Sequence, residues 1–384
     1  MTKWRLFVGL LVLGALLTTL ACGGPAASPT PPPAAPTPTA TPLRTATPTP
    51  TPAPTPALEP ISLRFTTPLA DRGVVSSSTR KYLDEVNRRA GGRIKFEQFW
   101  AGVLTKPGEE LEAVQQGRVD MATLVMSYNP TKLRLGGLTR AVAFGDSDTV
   151  RLAKIIRKLH DEFPEMRNEV EQYNHKPLFF GMLTTYDLLS KAPVRTLGDF
   201  KGIKVAGTGV DHPKAIKAVG GTFVAMPVGD RYQALQTGVV EASLLPMELQ
   251  VTYKLPEVTK YATLLNLGAI YSYAITINKD VWAKLPPDVQ KAMLEAGPFM
   301  EDWTGNEYNR VDQSLLAELK KAGLEVFTLS DADRLQWAQA LPDMPGEWIA
   351  EVEKAGSSGK KIVNRYLQLM EEQGYKFPRR WGPY

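Results

Sequence analysis

The pattern of apolar and polar positions divides the chain into three regions. Residues 6–17 carry no charge and no strong polar group, with Lys3 and Arg5 before them and Thr18-Thr19-Leu20-Ala21-Cys22 after. A charged start, an apolar middle and a small-residue end are the order of an export signal. The apolar block is shorter than the roughly 20 residues needed to span a bilayer. Residues 23–60 hold 14 of the chain's 31 prolines, mixed with Thr and Ala, and almost no apolar side chain. Such a stretch cannot build a core and reads as an extended polyproline II tether, reaching on the order of 100 Å.

From residue 61 the periodicity becomes that of a folded body. Ile61, Leu63 and Phe65 alternate with polar residues, which predicts a strand over 61–67. A helix follows over 76–90, a strand over 93–99, and a helix over 108–116 with Gly117 as its cap. Strands are expected over 119–125, 176–183 and 202–205, helices over 148–163 and 212–219, and an extended segment at 222–224. Alternating helices and strands predict a mainly parallel α/β sheet. Residues 275–278 read as a strand crossing between lobes. A long helical pattern runs from 288 to about 322 with a bend at Gly297-Pro298. A strand over 324–329 and helices near 330–340, 345–354 and 359–373 close the chain. Trp337, Trp348 and Trp381 read as helix packing.

One internal repeat organises the body. Ala113-Val114-Gln115-Gln116-Gly117-Arg118-Val119-Asp120 returns as Ala234-Leu235-Gln236-Thr237-Gly238-Val239-Val240-Glu241. Each copy is a helix end, a capping Gly, a turn with an acid, and an apolar strand. Two similar α/β lobes would use the unit once each and leave a ligand cleft at their strand ends.

Composition changes this picture mainly by exclusion. The 384 residues suit two domains or one two-lobed domain, and 43% hydrophobic content supports a real core. The net charge of +5 includes Lys3 and Arg5 and forms no basic stripe, so nucleic acid is not expected as a partner. A single cysteine excludes an intrachain disulfide and any multi-cysteine zinc site. His160, His175 and His212 form no HxxxH or HExxH pattern, and no GxSxG elbow or dinucleotide fingerprint occurs. No cofactor is expected and no catalytic residue stands out.

Two resemblances add to this reading. The end of the export signal resembles a bacterial lipobox, with Ala21 before Cys22 and Thr19 where a Leu is usual. That implies lipidation at Cys22. The segments 92–97, 117–122, 199–205 and 226–228 resemble solute-binding proteins of tripartite ATP-independent periplasmic (TRAP) transporters. Tyr232 through Glu241 is the strongest piece, and Ile277-Asn278-Lys279, Trp282 and Leu285-Pro286-Pro287 continue it. The family implies an α/β, two-lobed periplasmic-binding-protein-like fold with crossing segments and a long C-terminal helical region. It also implies an extracytoplasmic receptor that closes on a solute and delivers it to membrane-embedded permease subunits.

On that basis residues 1–21 are expected as the signal and 22–60 as the tether, with the body at 61–384. One lobe is expected at about 61–183 and 278–330, the other at 184–277, with terminal helices at 331–384. The family usually places an Arg where Ala206 stands, to pair with a ligand carboxylate, and polar residues at Leu189, Leu244 and Leu245. The cleft is therefore expected to hold an organic acid or a compound with an apolar or aromatic body. Loop positions after strands nominate Trp100, Tyr128, Asn129, Lys132, Tyr186, Asp187, Ala206, Gly207, Thr208, Leu245, Glu248, Tyr271 and Tyr273 as ligand contacts. A sensory or scaffold lipoprotein is the second reading, and an enzyme on the same scaffold a weaker third.

Overall fold

The computed structural model describes residues 59–384 together with Ser28, Thr30 and Pro33. The expected export signal, Cys22 and nearly all of the tether lie outside the described residues. Among the described residues, no helix is long and apolar enough to cross a membrane.

Two sheets make up the body. The first contains β1 (Ile61–Thr66), β2 (Ile94–Phe99), β3 (Met121–Val125), β4 (His175–Leu183) and β10 (Ile270–Asn278), in the order β2-β1-β3-β10-β4. The second contains β5 (Tyr186–Ser190), β6 (Lys204–Gly207), β7 (Thr222–Ala225), β8 (Ala242–Pro246), β9 (Tyr261–Leu264) and β11 (Glu325–Thr328), in the order β11-β9-β5-β8-β6-β7. Most helix and strand limits fall within a residue or two of the periodicity. The sheets are mixed rather than mainly parallel. β5 runs antiparallel to β8 and β9, and β10 runs antiparallel to β3 and β4. Only Thr184 and Thr185 separate β4 of the first sheet from β5 of the second, so this short link carries the chain directly from one sheet to the other.

Strand membership does not follow the expected lobe ranges. β10 lies in the first sheet from Ile270 onward, not from 278. β11 pairs with β9 in the second sheet, although 278–330 was expected to belong with the first. Periodicity shows that a strand is amphipathic but not which sheet it joins.

The chain reaches β11 through one 35-residue helix, Pro287–Lys321, which continues through Pro298. Its first half lies on the first sheet. Gly297 permits this approach, since an added Cβ would fall 2.2 Å from the Leu178 carbonyl oxygen. Tyr82 donates to the Met293 carbonyl at 3.1 Å, and Arg157 Nε pairs with Glu301 Oε2 at 2.7 Å. Its last turns bury Leu315 and Leu319 with Leu189 and Ala262 of the second sheet.

The repeat is one structure used twice. Helix Glu110–Gln115 is followed by Gly117 at φ 69°, and helix Arg231–Thr237 by Gly238 at φ 79°. In the first copy the Arg64 amide donates to Asp120 Oδ2 at 2.7 Å and the Asp120 amide to the Arg64 carbonyl at 3.1 Å. In the second the Lys204 amide donates to Glu241 Oε2 at 2.8 Å and the Glu241 amide to the Lys204 carbonyl at 2.9 Å. Each acid therefore pins the neighbouring strand, β1 or β6. The three tail tryptophans are buried, and each indole N–H donates to a backbone carbonyl, of Ala215, Arg134 and Ala143 in turn. Their polar atoms are used by packing.

Candidate functional site

Strand ends from both sheets converge on one small cavity. Val125 closes β3, with Ser127 and Tyr128 just beyond it, and Thr208 follows β6. Leu245 stands near the end of β8, Leu183 ends β4, Tyr186 begins β5, and Ser272 and Tyr273 lie in β10. Leu69, Val75, Val228 and Leu249 complete an apolar wall, and Arg231 brings the single charge. The cavity is about 30 Å³, well below the several hundred typical of small-molecule sites. An organic solute needs more room than this arrangement of the two lobes leaves.

Arg231 is fully buried at the first position of helix Arg231–Thr237, on the same face as buried Ala234 and Leu235. Its Nη1 donates to Ser243 Oγ at 3.2 Å and to the Leu244 carbonyl at 2.9 Å. Nε and Nη2 are buried and have no hydrogen-bond partner among the described residues. Burial pushes the guanidinium below its ordinary value, against a smaller opposing pull from the phenols of Tyr186, Tyr128 and Tyr253. Burial likewise pushes the phenols of Tyr128, Tyr186 and Tyr273 up, so all three are neutral donors near neutral pH. The Tyr186 ring packs on His212 at 4.6 Å, and His212 Nδ1 lies 3.0 Å from the Thr208 carbonyl oxygen.

Of the nominated contacts, Tyr128, Tyr186, Thr208, Leu245 and Tyr273 line this cavity. The other eight lie elsewhere, each for a visible reason. Trp100 is half-buried against Phe65 with Arg80 over its ring. Asn129 Nδ2 donates to the Gly108 carbonyl at 3.1 Å. Lys132 pairs with Glu112 beside a separate surface hollow. Asp187 Oδ1 accepts from the Leu265 and Asn266 amides at 2.7 and 3.2 Å, and burial raises its carboxyl to about 7. Ala206 is core, and the Phe223 ring covers Gly207, 2.3 Å from where a Cβ would stand. Glu248 Oε1 accepts from the Val74 amide, and Tyr271 is buried against His160 and Phe180. Sequence reasoning missed Arg231. The signal was available: Arg231, Ala234 and Leu235 have the i, i+3, i+4 spacing of one helix face. Among the described residues, no three His, Cys, Asp or Glu side chains are grouped to hold a metal ion.

Residues 65–349 match the bacterial extracellular solute-binding protein, family 7. The chain belongs to this family. The family 7 protein shares 27% identity over 299 residues with the C4-dicarboxylate-binding periplasmic protein DctP of Rhodobacter capsulatus, covering 75% of this chain and 86% of that protein. It shares 24% over 321 residues with the C4-dicarboxylate-binding protein DctB of Bacillus subtilis, covering 82% and 88%. Among solved structures it is similar to a TRAP solute binding protein of Rhodoferax ferrireducens in complex with copurified benzoate. That TM-score is 0.75 at 20% identity, over 82% of this chain and 98% of the other. A Bordetella bronchiseptica TRAP protein with bound mandelate gives 0.72 at 22%, over 82% and 100%. These likenesses show the fold. Family 7 is made up of extracytoplasmic solute-binding receptors, and that role fits a cavity that two lobes close.

Proposed function

We propose that this receptor captures a small organic acid with an apolar or aromatic body between its lobes and hands it to TRAP-type permease subunits, while a lipid on Cys22 holds it at the membrane. The observation that carries the reading is the interlobe cavity, apolar except for hydroxyls and one guanidinium. Among the relatives, the bound benzoate and mandelate combine a carboxylate with an aromatic ring. The cavity of this chain has matching parts, with Tyr128, Tyr186 and Tyr273 offering flat apolar surface and hydroxyls. Tyr128, Tyr186, Thr208, Leu245 and Tyr273 are the proposed contacts. The proline-rich tether would let the body turn and reach the permease.

Mass spectrometry of solute released from freshly purified protein, followed by thermal-shift assays with its analogues, tests the reading. A ligand at 100 times its dissociation constant adds about 2.7 kcal/mol to stability. Strong stabilisation by simple C4-dicarboxylates or sugar acids, with none by aromatic or apolar acids, would refute the proposed solute class.

A further inference from the structure

We infer that Arg231 is the carboxylate receptor of this protein, that it takes a monocarboxylate through its Nε and Nη2 edge, and that lobe closure depends on that anion. This rests on the receptor reading above and adds the residue, the ligand group and the coupling. The family resemblance implies a guanidinium on β6, where this chain has Ala206. Ala206 and Ser243 are register partners on adjacent parallel strands, so their side chains share a face. Arg231 Nη1 reaches Ser243 Oγ at 3.2 Å. The guanidinium of Arg231 therefore lies beside the patch of sheet that a long side chain at 206 would cover.

The fork is half used. Nη1 is spent on Ser243 and Leu244, which fixes the plane of the group. Nε and Nη2, the edge that binds a carboxylate with two parallel hydrogen bonds, are buried and unpartnered among the described residues. No carboxylate lines the cavity. Arg140, the other buried arginine near Tyr186, also has an unpartnered Nε and Nη1, but it lines a second cavity together with the buried carboxylate Asp211. Closing the lobes without an anion strands the Arg231 charge in a dry site, which is strongly unfavourable. A bound carboxylate removes that penalty. One cation accepts one carboxylate, so a second acid group on the solute would be left buried and unpaired.

The test uses the full chain with benzoate and (R)-mandelate, each paired with its neutral amide, in calorimetry and small-angle scattering. The wild type should prefer acid over amide by 100-fold or more and contract only with the acid. Arg231→Met should bring the acid-to-amide ratio near one and make the ligand-free protein more compact. Arg231→Lys, which keeps charge without the fork, should give a ratio near tenfold. An undiminished acid preference in Arg231→Met would overturn the inference and leave the receptor reading standing. So would a copurified solute that lacks a carboxylate. Absence of any copurified or bound small molecule would defeat both.

Discussion

The Val74 amide donates to Glu248 Oε1 at 2.8 Å, joining the first turn of a helix on one lobe to a helix that follows β8 on the other. A second bond runs beside it, from the Ala70 amide to the Tyr253 hydroxyl at 3.0 Å. Gly73 lies between them with φ 87°, and a Cβ there would meet Glu248 Oε1 at 2.5 Å. These contacts exist only while the lobes are together. Glu248→Ala should lower solute affinity about tenfold, for a bond of roughly 1–2 kcal/mol. Glu248→Gln, which keeps an acceptor, should lose less, and Gly73→Ala should hold the lobes apart. Unchanged affinity and radius of gyration in all three would remove this contact from the closing mechanism.

Gly181 is the register partner of Tyr273, and an added Cβ would stand 2.1 Å from the phenol ring. The ring lies flat across this glycine and turns into the cavity. Gly181→Ala should force it aside, at about 1–3 kcal/mol of stability, and should weaken solute binding as well. Thermal unfolding and calorimetry on the same preparation check both effects; wild-type values in both would contradict the packing.

Asp187 gives a pH test. Desolvation raises its carboxyl from 3.8 to about 7, only partly offset by the Leu265 and Asn266 amides. A raised acid favours its protonated form in the folded state. Its contribution to stability is therefore fully present below pH 3.8 and is lost as pH rises through about 7. The buried histidines act in the opposite sense, with His160 and His212 lowered to about 3 and His175 to about 4, so the wild-type curve is composite. The difference between wild type and Asp187→Asn isolates the one group. The variant should gain about 1–4 kcal/mol at pH 8 and nothing near pH 4. A gain independent of pH would show that Asp187 is not the titrating group.

Cys22→Ser should leave the protein without lipid mass and release it from membranes, because the remaining apolar block is cleaved or too short to span. Fractionation with intact-mass measurement decides it. Wild-type protein lacking an acyl adduct would remove the anchor from the proposal.

Helix and strand positions were legible because burial on one face writes a period into the residues, and the repeat was legible because both copies solve the same local problem. The sheet to which β11 belongs was not, since its pairing with β9 depends on a 35-residue helix that delivers it there. The site was partly legible for a related reason. Tyr128 and Tyr273 look like ligand contacts and line the cavity, whereas Asp187 and Glu248 look the same and are engaged by backbone amides. A buried polar residue on a strand end signals a hydrogen bond without naming its partner. Arg231 was not legible as a site residue because the resemblance implies a guanidinium at position 206 on β6, whereas this chain carries the buried cation on helix Arg231–Thr237.

The helix Pro287–Lys321 is clamped by Glu301 and Gly297 at one lobe and by Leu315 and Leu319 at the other. At 1.5 Å per residue it is a rod of roughly 50 Å. A rod gripped at both ends behaves as a leaf spring: parting the lobes flexes it, and the flexure returns a torque that grows with the angle. Any parting of the lobes then works against the bending of this helix as well as against the surface contacts. Pro298, which removes one rung of the helical ladder, falls inside the clamp between Gly297 and Glu301, so the flexure is carried by the proline-free span from Glu301 to Leu315.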